Sequence, residues 1–337
     1  MTKSIISRDQ YIYPCTYVRC LEKNLLTREK ADKMLAAGTL QEAMQVLYEM
    51  GYGDSLEDPG SSDFESLLSL AFGKASAMIL RMAPRKECFA VFLYPHDYHN
   101  AKTLLKAEFL GIDAASLLSE NGSIPAANLA DMIRNRSYTE MRPPMARGIG
   151  EVIEAYGTSK DPQLIDLILD KACYQDIYAE AVRLKNDFVK GYVKLKIDTI
   201  NLKTWLRTRQ MKKPWDFFKS IFIDGGNIPE SLFHDGYEMN TEHFGDKLWK
   251  FGLETVFLEG AAELQEYGRF TVLEKLCDDL LTRYMQDAKY ISYGIEPLIA
   301  YMAAVENDIR TARIILSGKL AGLGPEIIRE RIRDTYA

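Results

Sequence analysis

The chain has 337 residues, of which 47% are hydrophobic and 27% charged, with a formal net charge of −6. That balance is typical of a globular protein and excludes disorder, a collagen-like repeat and a disulfide scaffold. It also lacks the basic footprint of a dedicated nucleic-acid binder.

In chain order, residues 1–19 contain no continuous apolar core of a signal peptide. Pro95 is read as opening a long helix whose exposed first turn carries His96, Asp97 and His99, with Asp97 favourable at the N-terminal dipole. Gly122-Ser123-Ile124-Pro125 ends that helix and starts a short one over 126–133. Ala155-Tyr156-Gly157 closes another helix, and Ile165, Ile168, Leu169, Ala172 and Cys173 form one apolar helical stripe. A second long helix carries Asn201 and is followed by Gly226-Asn227-Ile228-Pro229 and a short helix over 230–235. Glu266-Tyr267-Gly268 repeats the earlier helix ending. Leu273, Leu276, Cys277, Leu280, Leu281 and Tyr284 then form a stripe with Asp278-Asp279 on its solvated face. Pro297 opens a helix reaching about Leu316, and Gly322-Leu323-Gly324-Pro325 leads into a last short segment over 326–332. The aromatic residues Trp205, Trp215, Phe217, Phe218 and Trp249 fall at helical spacing and are read as core. Strict apolar/polar alternation is scarce, so the fold class is all-α.

The most informative pattern is an internal repeat. Asn100-Ala101-Lys102-Thr103 matches Asn201-Leu202-Lys203-Thr204 and, less closely, Asp308-Ile309-Arg310-Thr311, each trailed by a Gly-x-x-Pro turn. The period of about 100 residues is longer than that of ordinary helical arrays, at roughly 33–47. Three similar helical bundles are expected, over 1–137, 138–240 and 241–337, in a pseudo-threefold object rather than an open solenoid.

Catalytic signatures are missing. Ser317-Gly318-Lys319-Leu320 lacks the first glycine and the hydroxyl residue of a phosphate-binding loop, and Gly148-Ile149-Gly150 lacks the third glycine of a dinucleotide site. His96 and His99 lack a third metal ligand. The acidic pair Asp278-Asp279 lacks the further carboxylate that a diphosphate-metal site needs. No catalytic residue, cofactor or metal site is expected. The five cysteines, Cys15, Cys20, Cys88, Cys173 and Cys277, form no Cys-x-x-Cys pair and predict reduced, mostly buried thiols. No apolar run reaches the roughly 18 residues that span a bilayer.

Tyr17-Val18-Arg19-Cys20-Leu21-Glu22-Lys23-Asn24-Leu25-Leu26-Thr27, the repeated Asn-x-Lys and Gly-x-Ile-Pro patterns, and Ile133-Arg134-Asn135-Arg136-Ser137-Tyr138 carry a family resemblance. Over essentially its whole length the chain resembles the C subunit of the A/V-type rotary ATPases, the counterpart of the d subunit of the vacuolar proton pump. The resemblance implies a pseudo-threefold funnel of helical units with no active site. It implies a place in the rotor, on the cytosolic face of the membrane. The partners implied are the D and F subunits of the shaft and the membrane proteolipid ring, with membrane contact only through the ring. The third unit departs from the pattern at Asp308 and Gly324, and its shorter Thr311-to-Gly322 interval predicts a trimmed helix. Partner contacts are expected on the short segments after each Gly-x-x-Pro, with Arg134, Arg136, Arg329, Arg331 and Arg333 as candidates. Two other classes fit the residues alone: an unrelated helical adaptor, or an all-α enzyme with a site assembled from dispersed residues.

Overall fold

The computed structural model describes residues 8–52 and 63–337, and among these the chain forms only helices, turns and loops. The chain starts with α1 (Ile12–Leu21), α2 (Arg28–Ala36), α3 (Leu40–Glu49) and α4 (Phe64–Met82). Next come α5 (Ala90–Leu110), α6 (Ala126–Arg134), α7 (Pro143–Ser159), α8 (Gln163–Leu184), α9 (Asp187–Gln210), α10 (Trp215–Ile221) and α11 (Glu230–Gly236). It finishes with α12 (Thr241–Lys247), α13 (Glu254–Tyr267), α14 (Thr271–Gln286), α15 (Glu296–Leu320) and α16 (Pro325–Arg329). The all-α expectation holds. Among the described residues no helix is long and apolar enough to cross a membrane.

Polar caps start several of these helices. The Thr27 hydroxyl accepts from Lys30 N–H at 3.3 Å, and Thr39 accepts from Glu42 N–H at 3.1 Å. Asn186 accepts from Val189 N–H at 2.8 Å. Each cap satisfies a donor that the first helical turn leaves without a partner.

The contacts divide the chain into two units: Met1–Lys86 with Thr241–Ala337, and Glu87–Asn240. In the second unit α7 and α8 form a hairpin, with α5 and α9 packed along α8. Lys102 pairs with Asp170 and Lys106 with Asp166, both at 2.7 Å, so α5 and α8 run antiparallel. In the first unit α13 and α14 pair, and α15 packs against α1, α2, α3, α4 and α14. Of the 25 residues of α15, 16 are buried. Full burial of side chains such as Leu298, Ile299 and Leu316 stabilises that unit by about 1.5–3 kcal/mol each.

Several expectations change. Pro95 lies inside α5 instead of opening it, and Asp97 is wholly buried. The helix begins at Ala90 because Cys88 and Phe89 of the preceding turn and the apolar run Ala90–Leu93 are buried, whereas Lys86 and Glu87 stay exposed. α15 is not trimmed: it has 25 residues, against 21 in α5 and 24 in α9. Trp249 is 63% exposed, whereas Trp205 is fully buried. Asp278 and Asp279 do not form a solvated face. Asp278 bonds Arg310 and Arg333, and Asp279, only 3% exposed, accepts from Asp334 N–H at 2.6 Å. Four of the five thiols are buried and Cys20 is exposed, as the reduced reading expected.

Candidate functional site

The structure brings the repeated motifs together as clamps on short helices. Each clamp uses two side chains of a long helix, an aspartate and the residue eleven positions further on: Asp97 and Glu108, Asp198 and Arg209, Asp308 and Lys319.

The aspartate holds the entry to the short helix. Asp97 Oδ1 accepts from Ile124 N–H at 3.0 Å, and Oδ2 accepts from the Ser123 hydroxyl at 2.5 Å. Asp198 accepts from Asn227 N–H at 2.8 Å, from Ile228 N–H at 2.9 Å and from the Asn227 side-chain amide at 2.7 Å. Asp308 Oδ2 accepts from Leu26 N–H at 2.7 Å. Ile124, Ile228 and Leu26 therefore occupy matching places, and α6, α11 and α2 begin two residues after them.

The second residue holds the exit. Glu108 accepts two bonds from the Arg136 guanidinium, which also donates to Ile133 O at 3.0 Å. Arg209 donates to Met239 O at 2.7 Å while stacking over Trp205 at 4.6 Å. Lys319 donates to Leu35 O at 3.1 Å and to Ala37 O at 2.5 Å. Helices of seven to nine residues are too short to persist alone, so fixing both ends gives them a set position. Matching positions also face inward: Leu129 and Ile133, Phe233 and Tyr237, Ala31 and Leu35 are all buried.

The repeated asparagines have a third task. Asn100 exchanges two bonds with the backbone of Ser119, both at 2.7 Å. Asn201 does the same with Ile223, at 2.8 and 3.0 Å. Each side chain thus satisfies a backbone donor and acceptor that no helix or sheet serves.

This geometry revises the reading of the Gly-x-x-Pro turns. The long helices stop at left-handed residues fourteen positions after the aspartates: Gly111 (φ 67°), Lys212 (φ 53°) and Gly322 (φ 69°). Gly322 therefore matches Gly111, not Gly122 or Gly226. The third clamped helix is α2, not α16, which follows directly on the helix stop. The signal lay in Asp-x-x-Asn, Asp-x-x-Asn and Asp-x-x-Thr, beginning at Asp97, Asp198 and Asp308. Aligning Asp308 with the two asparagines shifts it by three residues and hides the shared carboxylate.

The electrostatics differ between the clamps. Burial pushes the Asp198 carboxyl above its ordinary pKa, with the Ile228 and Asn227 N–H groups pulling back. Asp308 is pushed further, to about 8, because burial is opposed only by Leu26 N–H and Lys30. Asp97 is braced instead by Arg142, which reaches it at 3.0 Å, reaches Asp176 at 2.6 Å and lies 3.7 Å over the Tyr94 ring.

Arg134 is exposed and pairs within its own helix with Asp131 at 3.1 Å. Arg136 belongs to the Glu108 clamp. Arg329 is exposed and pairs with Asp32 of α2 at 2.7 Å, and Arg331 is exposed. Arg333 is 8% exposed and bonds Asp278 at 2.9 Å. Arg134 and Arg136 thus meet around α6, and the other three around α16, α2 and α14. Among the described residues no three His, Cys, Asp or Glu side chains are grouped to hold a metal ion.

Comparison with known proteins adds to this geometry. The family model "ATP synthase (C/AC39) subunit" matches residues 14–331. The C subunit of the V-type sodium ATPase of Enterococcus hirae is 26% identical, over 95% of this chain and 97% of that protein. The C subunit of the A-type ATP synthase of Methanocaldococcus jannaschii is 25% identical, over 98% of this chain and 88% of its own length. That of Thermococcus kodakarensis is 23% identical, over 96% and 90%.

Proposed function

Because the chain belongs to the ATP synthase (C/AC39) subunit family, we propose that it is the non-catalytic central-stalk subunit of a rotary V/A-type ATPase, a socket between the D/F shaft and the membrane proteolipid ring. In this role it transmits torque, while ATP chemistry and ion passage occur in other subunits. It works on the cytosolic face of the membrane and touches the membrane only through the ring.

The observation that carries this reading is the end-to-end match to the C subunits of rotary ATPases. The clamps favour it mechanically. A torque-bearing part must resist shear, and packed helices transmit strain with little compression. Hydrogen bonds from long-helix side chains at both ends of each short helix add fixed points. We take the organisation as three modules with limits near 137 and 240, the third, 241–337, taking its clamped helix from α2. The short helices are the elements offered to partners. Arg134, Arg329 and Arg331 reach solvent beside them, while Arg136 and Arg333 set the segments that carry the contacts.

The test is a pull-down with the tagged chain from detergent-solubilised membranes in which the complex is intact. Recovery of shaft and ring subunits is the expected result, with no ATP hydrolysis by the purified chain alone. Recovery of no rotary ATPase subunit overturns the proposal.

A further inference from the structure

The three clamps are unequal in a way that gives one of them a separate task. Asp97 and Asp198 each accept several bonds, and their partner loops lie 27 and 30 residues away in sequence. Among the described residues Asp308 accepts only from Leu26 N–H, 282 residues away. Its Oδ1 finds no partner among them, and neither do Thr311 Oγ1 and Asn307 Oδ1 on the same helix. Thr311 stands where Asn100 and Asn201 tie down a returning backbone. Beside this contact lies a cavity of about 190 Å³ lined by Leu25, Tyr52, Lys74, Tyr301 and Val305, among others. Leu25 precedes the bonded residue and Val305 lies one turn before Asp308. A cavity of this size with polar groups on its wall admits water.

We propose that the Asp308–Leu26 contact is a proton-controlled latch: the neutral carboxyl holds the start of α2 on α15, and loss of the proton loosens residues 24–36 from that helix. This assignment is independent of the partners named above.

The groups around the carboxyl support the direction. From α2 comes Lys30, whose ammonium is already bonded to Leu25 O at 2.9 Å. Tyr52, following α3 and half-buried, and Tyr301, buried on α15, have phenols raised above their ordinary range, chiefly by desolvation and then by Asp308. Lys74 of α4 lines the cavity, and Glu22 acts on Tyr301. Among the described residues an ionised Asp308 is thus a buried anion with one hydrogen bond and no ion-paired cation, which a low-dielectric interior penalises heavily. Opening toward the cavity hydrates it.

The sign follows from linkage. The closed form titrates near 8 and the open form near the ordinary carboxyl value of 3.8. The latch is therefore firmest below about pH 4, weakens as pH rises between these values, and reaches its weakest level above about pH 8.

Amide hydrogen exchange on the full chain, corrected for intrinsic rates, tests this. The opening constant of α2 should rise about tenfold per pH unit from pH 6, some 50-fold by pH 8, and then level off. The α6 amides, held through Asp97, should stay flat over the same range. Asp308→Asn, which keeps the acceptor and removes the proton, should abolish the rise in α2. If α2 in the wild-type chain is as flat as α6, the latch is ruled out whether or not the variant folds. A rise that persists in Asp308→Asn also overturns it.

Discussion

A methyl group on Gly226 would stand 2.2 Å from Asp198 Oδ1, and one on Gly122 would stand 2.2 Å from Asp97 Oδ1. Both loops must press bare backbone onto the carboxylate to deliver their N–H groups. Gly226→Ala and Gly122→Ala should each cost about 2 kcal/mol, as overpacking against a fixed side chain does. Gly157→Ala is the contrast: among the described residues its Cβ meets nothing within 4 Å, and in the last turn of α7 it should stabilise by up to about 1 kcal/mol. Urea midpoints of the three variants decide the matter, and a wild-type midpoint for Gly226→Ala sinks the close-approach argument.

Arg142 is the cation shared by two buried carboxylates, Asp97 with a side chain 0% exposed and Asp176 with one 8% exposed. Removing it in Arg142→Ala strands both charges and should destabilise the second unit by about 3 kcal/mol. Arg134→Ala, which breaks an exposed pair, should change stability by no more than about 0.5 kcal/mol. Chemical denaturation followed in both variants should separate them clearly.

The thiols offer a test of the native packing. Cys20 is exposed, and Cys15, Cys88, Cys173 and Cys277 are buried. Burial also pushes the Cys15 and Cys173 thiols above their ordinary pKa. A colorimetric thiol reagent at pH 8 should titrate one fast group per native chain and all five in denaturant. The slow groups should lag by on the order of 100-fold, since only an accessible thiolate reacts. Two or more fast thiols in the native chain would contradict the buried positions.

The arginines near the end of the chain separate contact from framework. Arg333→Glu places a negative charge against Asp278 and should cost about 3 kcal/mol or more. Arg331→Glu should leave stability within about 0.5 kcal/mol. If Arg331 lies at a partner's rim, its reversal should weaken recovery of the rotary subunits in the detergent pull-down several-fold, chiefly through association rate. Unchanged recovery removes Arg331 from the contact set.

The residues made much of this architecture legible. Period and punctuation gave the all-α class, the short helices after Pro125 and Pro229, and the helix opened by Pro297. Each rests on local physics: a proline preset for a first turn, or an apolar stripe at helical spacing. What stayed hidden was non-local. Asp97 resembled a helix-dipole residue because its partners lie 26 and more residues away. Asp278 resembled solvated surface because Arg333 approaches from 55 residues further on. Nothing in the sequence around Leu26 announces that Asp308 will bind it. Family likeness supplied what spacing could not, since an absent catalytic motif alone does not distinguish a subunit of the ATP synthase (C/AC39) family from an adaptor.

The grip of Lys319 on Ala37 joins residues 282 positions apart, and it has a consequence during synthesis. At ribosomal speeds of about 5–20 residues per second, α2 emerges roughly 15–60 s before the lysine that will hold its far end. For that interval a nine-residue helix cannot persist by itself, and Met34 and Leu35, both buried in the finished fold, have α3 but not α15 to pack against. The nascent chain is therefore most in need of a chaperone's shelter at its beginning, and is released from that need only when α15 has left the ribosome.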